Sequence, residues 1–277
     1  MELGKAMERR KVALITGAGT GIGKVLAMFL AENGYDIGLN YFSSEKTAHE
    51  TAEYIRSIGG KVLLIKADVS DCAQIERMFS EVEKQFGGID LFVNNSGITK
   101  REDFYNITED CYDLVMDINL KGAVFCVNAA YKNMLKYKKA GTIVVISSNH
   151  QKLYGMGDNI AYALSKVGLK RLVEGLAIRM AVDNINIVDI APGWVMVDRY
   201  SEYSDEYKEH INNTIPIGRM AQSREVGRLI LTLASESGKA ITGTTIFMDG
   251  ALSLTCNNFD RRAAQERLES AKERQDR

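Results

Sequence analysis

The chain has 277 residues, 45% of them hydrophobic and 26% charged, enough apolar material for a substantial core and too much for a disordered protein. Its 35 lysines and arginines against 36 acidic residues leave a formal charge of -1, which excludes a general nucleic-acid binder that works by displacing phosphate counterions. Cys72, Cys111, Cys126 and Cys256 form no CxxC pair, so neither a metal site nor a disulfide framework is expected, and no apolar run approaches the ~20 residues of a membrane helix. The charged start, Met1–Lys11, leads straight into an apolar strand without a signal-like segment, so the expected location is cytoplasmic.

Along the chain, short runs rich in Val, Ile and Leu recur at Val12–Thr16, Ile37–Asn40, Val62–Ala67, Ile89–Val93, Thr142–Ser147, Ile185–Ala191 and Thr245–Met248. Their lack of polar alternation is that of strands covered on both faces. Between them the spacing predicts helices at Gly23–Glu32, Ala48–Ile58, Ala73–Phe86, Asp110–Tyr137, Ile160–Val182 and Arg224–Ala234. Strand and helix alternating so regularly imply an α/β fold, a doubly wound parallel sheet of about seven strands with helices on both faces. No linker divides it, so residues 1–256 read as one domain. Within it, 194–216 carries Trp194, Tyr200, Tyr203 and Tyr207 among polar residues, and reads equally as a substrate loop or as a surface helix whose aromatics pack down. The tail, 257–277, is almost wholly charged and reads as a solvated helix or frayed end.

The first strand runs into Thr16-Gly17-Ala18-Gly19-Thr20-Gly21-Ile22-Gly23 and then a helix. Glycines there let the backbone turn tightly, and free N–H groups at the helix start face an anion. In a Rossmann-type sheet this is where a dinucleotide pyrophosphate sits. The spacing is Gly17-x-x-x-Gly21-x-Gly23, not G-x-G-x-x-G. It resembles the short-chain dehydrogenase/reductase family in its single-domain branch, and further motifs follow in order. Asp68-Val69, Asn94-Asn95-Ser96-Gly97, Asn119, Ser148, Tyr162-x-x-x-Lys166 and Pro192-Gly193 each resemble a family segment, the likeness running from about Val12 to Gly250. Tyr162 is the one tyrosine in the chain with a lysine four residues on.

Moving a hydride to or from a nicotinamide also requires moving a hydroxyl proton. Tyrosine, with a pKa of about 10, is a poor base near neutrality, and lowering it three units takes roughly 4 kcal/mol. Lys166, one helical turn away on the same face, is placed to favour the tyrosinate. The resemblance implies Tyr162 as general acid/base, Ser148 holding the substrate oxygen, Lys166 also binding the nicotinamide ribose, and Asn119 positioning a water beside Lys166. It also implies cofactor contacts at Thr16, Gly17, Gly21, Ile22, Gly23, Tyr41, Ser43, Asp68, Val69, Asn95, Gly97, Pro192, Gly193 and Val195, and an assembly that is a homotetramer or homodimer. Gly168 and Gly175, seven apart in one helix, suggest close packing there.

Two departures stand out. The family serine usually lies thirteen residues before the tyrosine, where this chain has Asn149, so Ser148 implies one extra residue in the loop Asn149–Ala161. Val197 replaces a threonine that helps hold the nicotinamide carboxamide, leaving backbone groups near Val195. The end of the second strand, Asn40-Tyr41-Phe42-Ser43-Ser44, has no acidic residue to repel a 2′-phosphate, which favours NADP(H) while leaving NAD(H) open. The implied reaction interconverts a secondary alcohol and a ketone, or a lactol and a lactone. Asn149, His150 and Gln151 after Ser148, with Trp194 beyond, suggest a sugar or polyol as the small-molecule substrate. A 3-oxoacyl-thioester reductase is the alternative within the class, and a non-catalytic dinucleotide sensor or scaffold the alternative outside it. No metal, nucleic acid or membrane partner is implied.

Overall fold

The structure, a computed structural model, describes residues 10–153, 158–255 and 259–275. In chain order its first half comprises β1 (Lys11–Ile15), α1 (Gly21–Glu32), β2 (Tyr35–Tyr41), α2 (Glu45–Ser57), β3 (Val62–Lys66), α3 (Cys72–Phe86), β4 (Leu91–Asn94), α4 (Glu109–Met116) and α5 (Gly122–Lys136). The second half comprises β5 (Thr142–Ile146), α6 (Ile160–Val182), β6 (Asn186–Pro192), β7 (Val195–Met196), α7 (Asp205–Thr214), β8 (Ala221–Gln222), α8 (Ser223–Leu233), β9 (Thr245–Met248) and α9 (Arg261–Gln275).

Each of the seven apolar runs is a strand of one parallel sheet, ordered β3-β2-β1-β4-β5-β6-β9. β2, β5 and β6 are buried along their whole length, as the continuous apolar patterning requires. One face is covered by α3, α5 and α6 through residues such as Met78, Val127 and Val173, the other by α1, α2 and α8 through Leu26, Ile55 and Ile230. A small third cluster, Ile211, Ile215 and Met220 against Trp194 and Met196, supports the segment after β6.

The helix predicted over Asp110–Tyr137 is two helices, α4 and α5, joined by a π-helical turn at Asp117–Lys121. The wider turn brings Gly122 against the backbone of Val69, where a Cβ would stand 2.5 Å from the Val69 carbonyl oxygen, and buries Asn119. Residues 194–216 hold both β7 and α7, and the aromatics pack in a chain along them. Gly168 has the packing reason its helix position suggested, since a Cβ there would press on Leu120 at 2.8 Å; Gly175 has none within the chain, its Cβ position being open. The tail is helical in α9, which packs on α7. Cys256 lies outside the described residues, and none of the described helices is long and apolar enough to cross a membrane.

Candidate active site

In an open parallel sheet, ligands bind beyond the carboxyl ends of the strands where the strand order reverses, here between β1 and β4. A cleft of about 780 Å³ opens there, between the β1–α1 turn, the ends of β2 to β6 and the start of α6. Gly17 and Gly21 have φ of +62° and +57°, the left-handed region that favours glycine. A Cβ on Gly21 would meet no protein atom, so this part of the turn faces open space. A Cβ on Gly23 would lie 2.4 Å from the Gly17 carbonyl oxygen, so that glycine lets the helix close on its own turn. Thr20, before α1, makes no side-chain cap, and the first turn of α1 has no acidic residue. Its N–H groups are left to an anion, the state a pyrophosphate needs.

The turn is held from behind. Thr16 Oγ1 accepts hydrogen bonds from the N–H groups of Asn95 and Ser96 at 3.0 and 3.1 Å. Asn95 Nδ2 donates to the carbonyls of Thr16 and Gly17. Asn40 Oδ1 accepts from Gly17 N–H at 3.1 Å, while its Nδ2 donates to the Ala67 carbonyl at 2.9 Å. Thr16 and Gly23, read from the sequence as cofactor contacts, therefore do not line the cleft: Thr16 is fully buried with its hydroxyl engaged, and Gly23 packs inside the turn. Both shape the cradle. Asn40 went unnoticed in the sequence, although a polar residue ending an apolar strand was the signal. The remaining expected contacts, Gly17, Gly21, Ile22, Tyr41, Ser43, Asp68, Val69, Asn95, Gly97, Pro192, Gly193 and Val195, all line the cleft, as does Val197. Asp68 Oδ1 also accepts from the Ser70 N–H and hydroxyl, both at 2.8 Å, which fixes the carboxylate at the rim.

Ser148, Tyr162 and Lys166 all line the cleft, linked by contacts of His150 with Ser148 and Tyr162 and of Lys166 with Tyr162. Ser147 and Ser148 follow β5 but turn apart. The Ser147 hydroxyl accepts from Gln151 Nε2 at 2.6 Å and reaches the Ile190 carbonyl, whereas Ser148 Oγ lies 3.1 Å from His150 Nδ1. His150 meets the Tyr162 ring edge-on, centroids 5.3 Å apart, and burial pulls its pKa below the ordinary histidine value. The Lys166 ammonium stands 5.4 Å from the Tyr162 ring centroid and donates to the Ile146 carbonyl at 3.1 Å. Burial pushes its pKa down to about 8, opposed by the charge of Asp189. Asn119 is fully buried, its Oδ1 accepting from Ile98 N–H and its Nδ2 donating to the Ile98 carbonyl and Ser165 Oγ. Its amide thus fastens the β4–α4 loop to α6, and a Cβ on Gly97 would sit 3.4 Å from both Asn119 Oδ1 and Lys166 Nζ.

Three side chains expected near the substrate separate. His150 is beside Ser148, Asn149 is buried, and Gln151 turns into the core towards Asp189 at 2.6 Å. Trp194 does not line the cleft; it packs edge-on to Tyr200, 5.8 Å away, over the Ile211 cluster. At the cleft mouth Lys24 of α1 pairs with Asp198 at 2.8 Å.

A family model described as enoyl-(acyl carrier protein) reductase matches residues 17–253. The 3-oxoacyl-[acyl-carrier-protein] reductase FabG of Staphylococcus aureus is 35% identical over 246 residues, 89% of this chain and 99% of that protein. The chain belongs to the short-chain dehydrogenase/reductase family. Among solved structures, a short-chain dehydrogenase/reductase from Serratia marcescens superposes with a TM-score of 0.82 at 28% identity, covering 88% of this chain and 98% of that one. Acetoin dehydrogenase YohF from Salmonella typhimurium does so with 0.82 at 28%, covering 91% and 99%. The protein is an NAD(P)-dependent oxidoreductase acting on CH–OH or keto groups, and the cleft fits the dinucleotide: an uncapped helix start, glycines that bring the backbone to its surface, and a buried lysine in its lining.

Proposed function

We propose that the protein is an NADP(H)-dependent reductase of a 3-oxoacyl thioester or a closely related 3-oxo compound. The juxtaposition of Ser148, Tyr162 and Lys166 in the dinucleotide cleft carries this reading. When bound, the nicotinamide supplies the hydride that the carbonyl carbon receives. Ser148 Oγ holds the substrate oxygen, and the Tyr162 phenol gives its proton to that oxygen as the carbon is reduced, or takes one from the alcohol in the reverse direction. Lys166 favours the tyrosinate by its charge and holds the ribose hydroxyls, with Asn119 supporting the wall behind it. Gly17, Gly21 and Ile22 hold the pyrophosphate, and Asp68 and Val69 the adenine.

The sugar or polyol expected from the sequence rested on the polar side chains after Ser148 and on Trp194. Of these, Asn149 is buried, Gln151 is committed to Asp189, and His150 packs on Ser148 and Tyr162 without lining the cleft. The preference for a 3-oxoacyl thioester is supported by what the Staphylococcus aureus relative's name says it reduces. NADP(H) is favoured because the first acidic residue past β2, Glu45, is taken by Lys66 at 2.9 Å and does not line the cleft, while the hydroxyls of Ser43 and Ser44 do.

We further assign residues 1–256 to the catalytic domain and 257–277 to a tail. The active form is a homotetramer or homodimer whose contacts involve the outer faces of α5 and α6, where Phe125, Leu164, Val167 and Ile178 are exposed. Sedimentation of the wild type against Val167→Glu reads this, with dissociation expected.

The test is absorbance at the reduced-nicotinamide band with 3-oxoacyl thioesters, sugars and simple ketones, using NADPH and NADH in the reductive direction and the oxidised forms with the sugars. Oxidation of NADPH by a 3-oxoacyl thioester, lost by roughly 10³-fold in Tyr162→Phe, is expected. Turnover confined to sugars would overturn the substrate assignment, and NADPH binding without turnover across the panel would return the sensor reading.

A further inference from the structure

Lys166 and Asp189 are ionisable groups buried behind the cleft, and the reaction above uses only Lys166. Asp189 stands in the middle of β6 and is fully buried. A carboxylate inside an otherwise apolar strand is costly unless hydrogen-bonded and paired, so its neighbours indicate its purpose. Asp189 Oδ2 accepts from Gln151 Nε2 at 2.6 Å and from Thr245 Oγ1 at 2.9 Å. The same Gln151 amide group donates to Ser147 Oγ at 2.6 Å. Gln151 closes the short turn Asn149–Gln151 that begins at Ser148, so one side chain ties the carboxylate to the loop that presents Ser148 and His150.

The other connection is electrostatic. In the sheet Asp189 pairs in register with Val145, beside Ile146, whose carbonyl accepts the Lys166 ammonium. The carboxyl of Asp189 is met by the side chains of Ser147, Gln151 and Thr245, none of them a cation, so Lys166 is the positive charge that acts on it.

We propose that Asp189 is a positioning residue for the proton transfer, anchoring the Ser148 turn through Gln151 and holding Lys166 in its ammonium form from beneath the cleft. The role of that ammonium rests on the Tyr162–Lys166 reading above. Burial drives the lysine towards the neutral amine and raises the carboxyl of Asp189, and each group's charge opposes the other's shift. Among the described residues, the end of β5 and the start of β9 bring the hydroxyls of Ser147 and Thr245 to Asp189, and Tyr162 and His150 are the other titratable groups around Lys166.

Asp189→Asn keeps an acceptor for Gln151 and Thr245 while removing the charge, which separates shape from electrostatics. The readout is the titration of Lys166 by NMR in protein carrying labelled lysine side chains, the signal assigned by its loss in Lys166→Met. It needs no substrate, so it reads independently of whether 3-oxoacyl thioesters turn over. Lys166 is expected to titrate about one unit lower in Asp189→Asn, with NADPH binding near pH 8 weakened roughly three- to tenfold. A folded Asp189→Asn with an unchanged Lys166 titration overturns the electrostatic half. If that variant does not fold, the coupling is read in reverse: the Asp189 carboxyl signal should titrate higher in Lys166→Met, and no change overturns the proposal. For the anchor, Gln151→Ala should move the His150 titration back towards the ordinary histidine value as the turn loosens; a His150 titration identical to wild type overturns that half.

Discussion

At the dinucleotide end of the cleft, Thr16, Asn40 and Asn95 bind the glycine turn to β2 and β4 by hydrogen bonds made inside the protein, and Gly23 leaves no room for a side chain. At the other end, residues 194–216 rest on the small Ile211 cluster and are otherwise steadied by edge-on aromatic contacts from Trp194 through Tyr200 and Tyr203 to Tyr207 and by ion pairs at the surface, Lys24–Asp198 and Arg262–Glu209. Buried hydrogen bonds lose the full desolvation cost when broken, whereas exposed ion pairs are worth little and are screened by salt. One end is therefore fixed in shape and the other is free to adjust, and substitutions of similar size should have unequal consequences at the two.

The largest effect is expected at the junction of the two ends. The pKa of Lys166 is depressed to about 8 in the folded chain against an ordinary value of 10.5, so between those values the unfolded chain holds a proton that the folded chain has released. Stability contributed by this group therefore rises with pH across that window, by up to ~3 kcal/mol, and is lost as pH falls back through 8. Urea unfolding at several pH values should show this slope, and Lys166→Met should flatten it; a slope shared by both proteins would remove Lys166 as its source. Next comes Gly23→Ala, whose methyl group would strike Gly17 and Asn95. It should cost ~2 kcal/mol by thermal unfolding and weaken NADPH binding at least tenfold. Thr16→Val leaves two backbone N–H groups without their acceptor and should cost about 1–3 kcal/mol, lowering the melting temperature at every salt concentration. The smallest effect belongs to Lys24→Ala, less than ~1 kcal/mol and vanishing in high salt. If Lys24→Ala proved as damaging as Thr16→Val, the contrast between a fixed and an adjustable end would be wrong.

The strands were legible because parallel strands buried on both faces must be apolar throughout, a pattern that needs no knowledge of tertiary partners. The glycine turn and the Tyr162–Lys166 pair were legible for a similar reason, since their chemistry depends on residue type and short spacing. The π-helical turn at Asp117–Lys121 was not, because its backbone angles stay helical and the contact that accompanies it, Gly122 on Val69, joins distant segments. The roles of Asn40 and Asp189 were missed although both are polar residues in apolar runs. Gln151 and Trp194 show the limit in the other direction: adjacency to Ser148 or to Gly193 says nothing of which way a side chain points, and both point away from the cleft.

The helix α9 starts where the segment after β6 ends in space. Arg261 Nε donates to the Pro216 carbonyl, its guanidinium lies against Gly218, and the Arg262 backbone N–H donates to Asn213 Oδ1. The family match stops at residue 253, so this strut is an addition to the shared fold. A purification handle fused at the carboxyl terminus would hang from a strut braced against the adjustable wall.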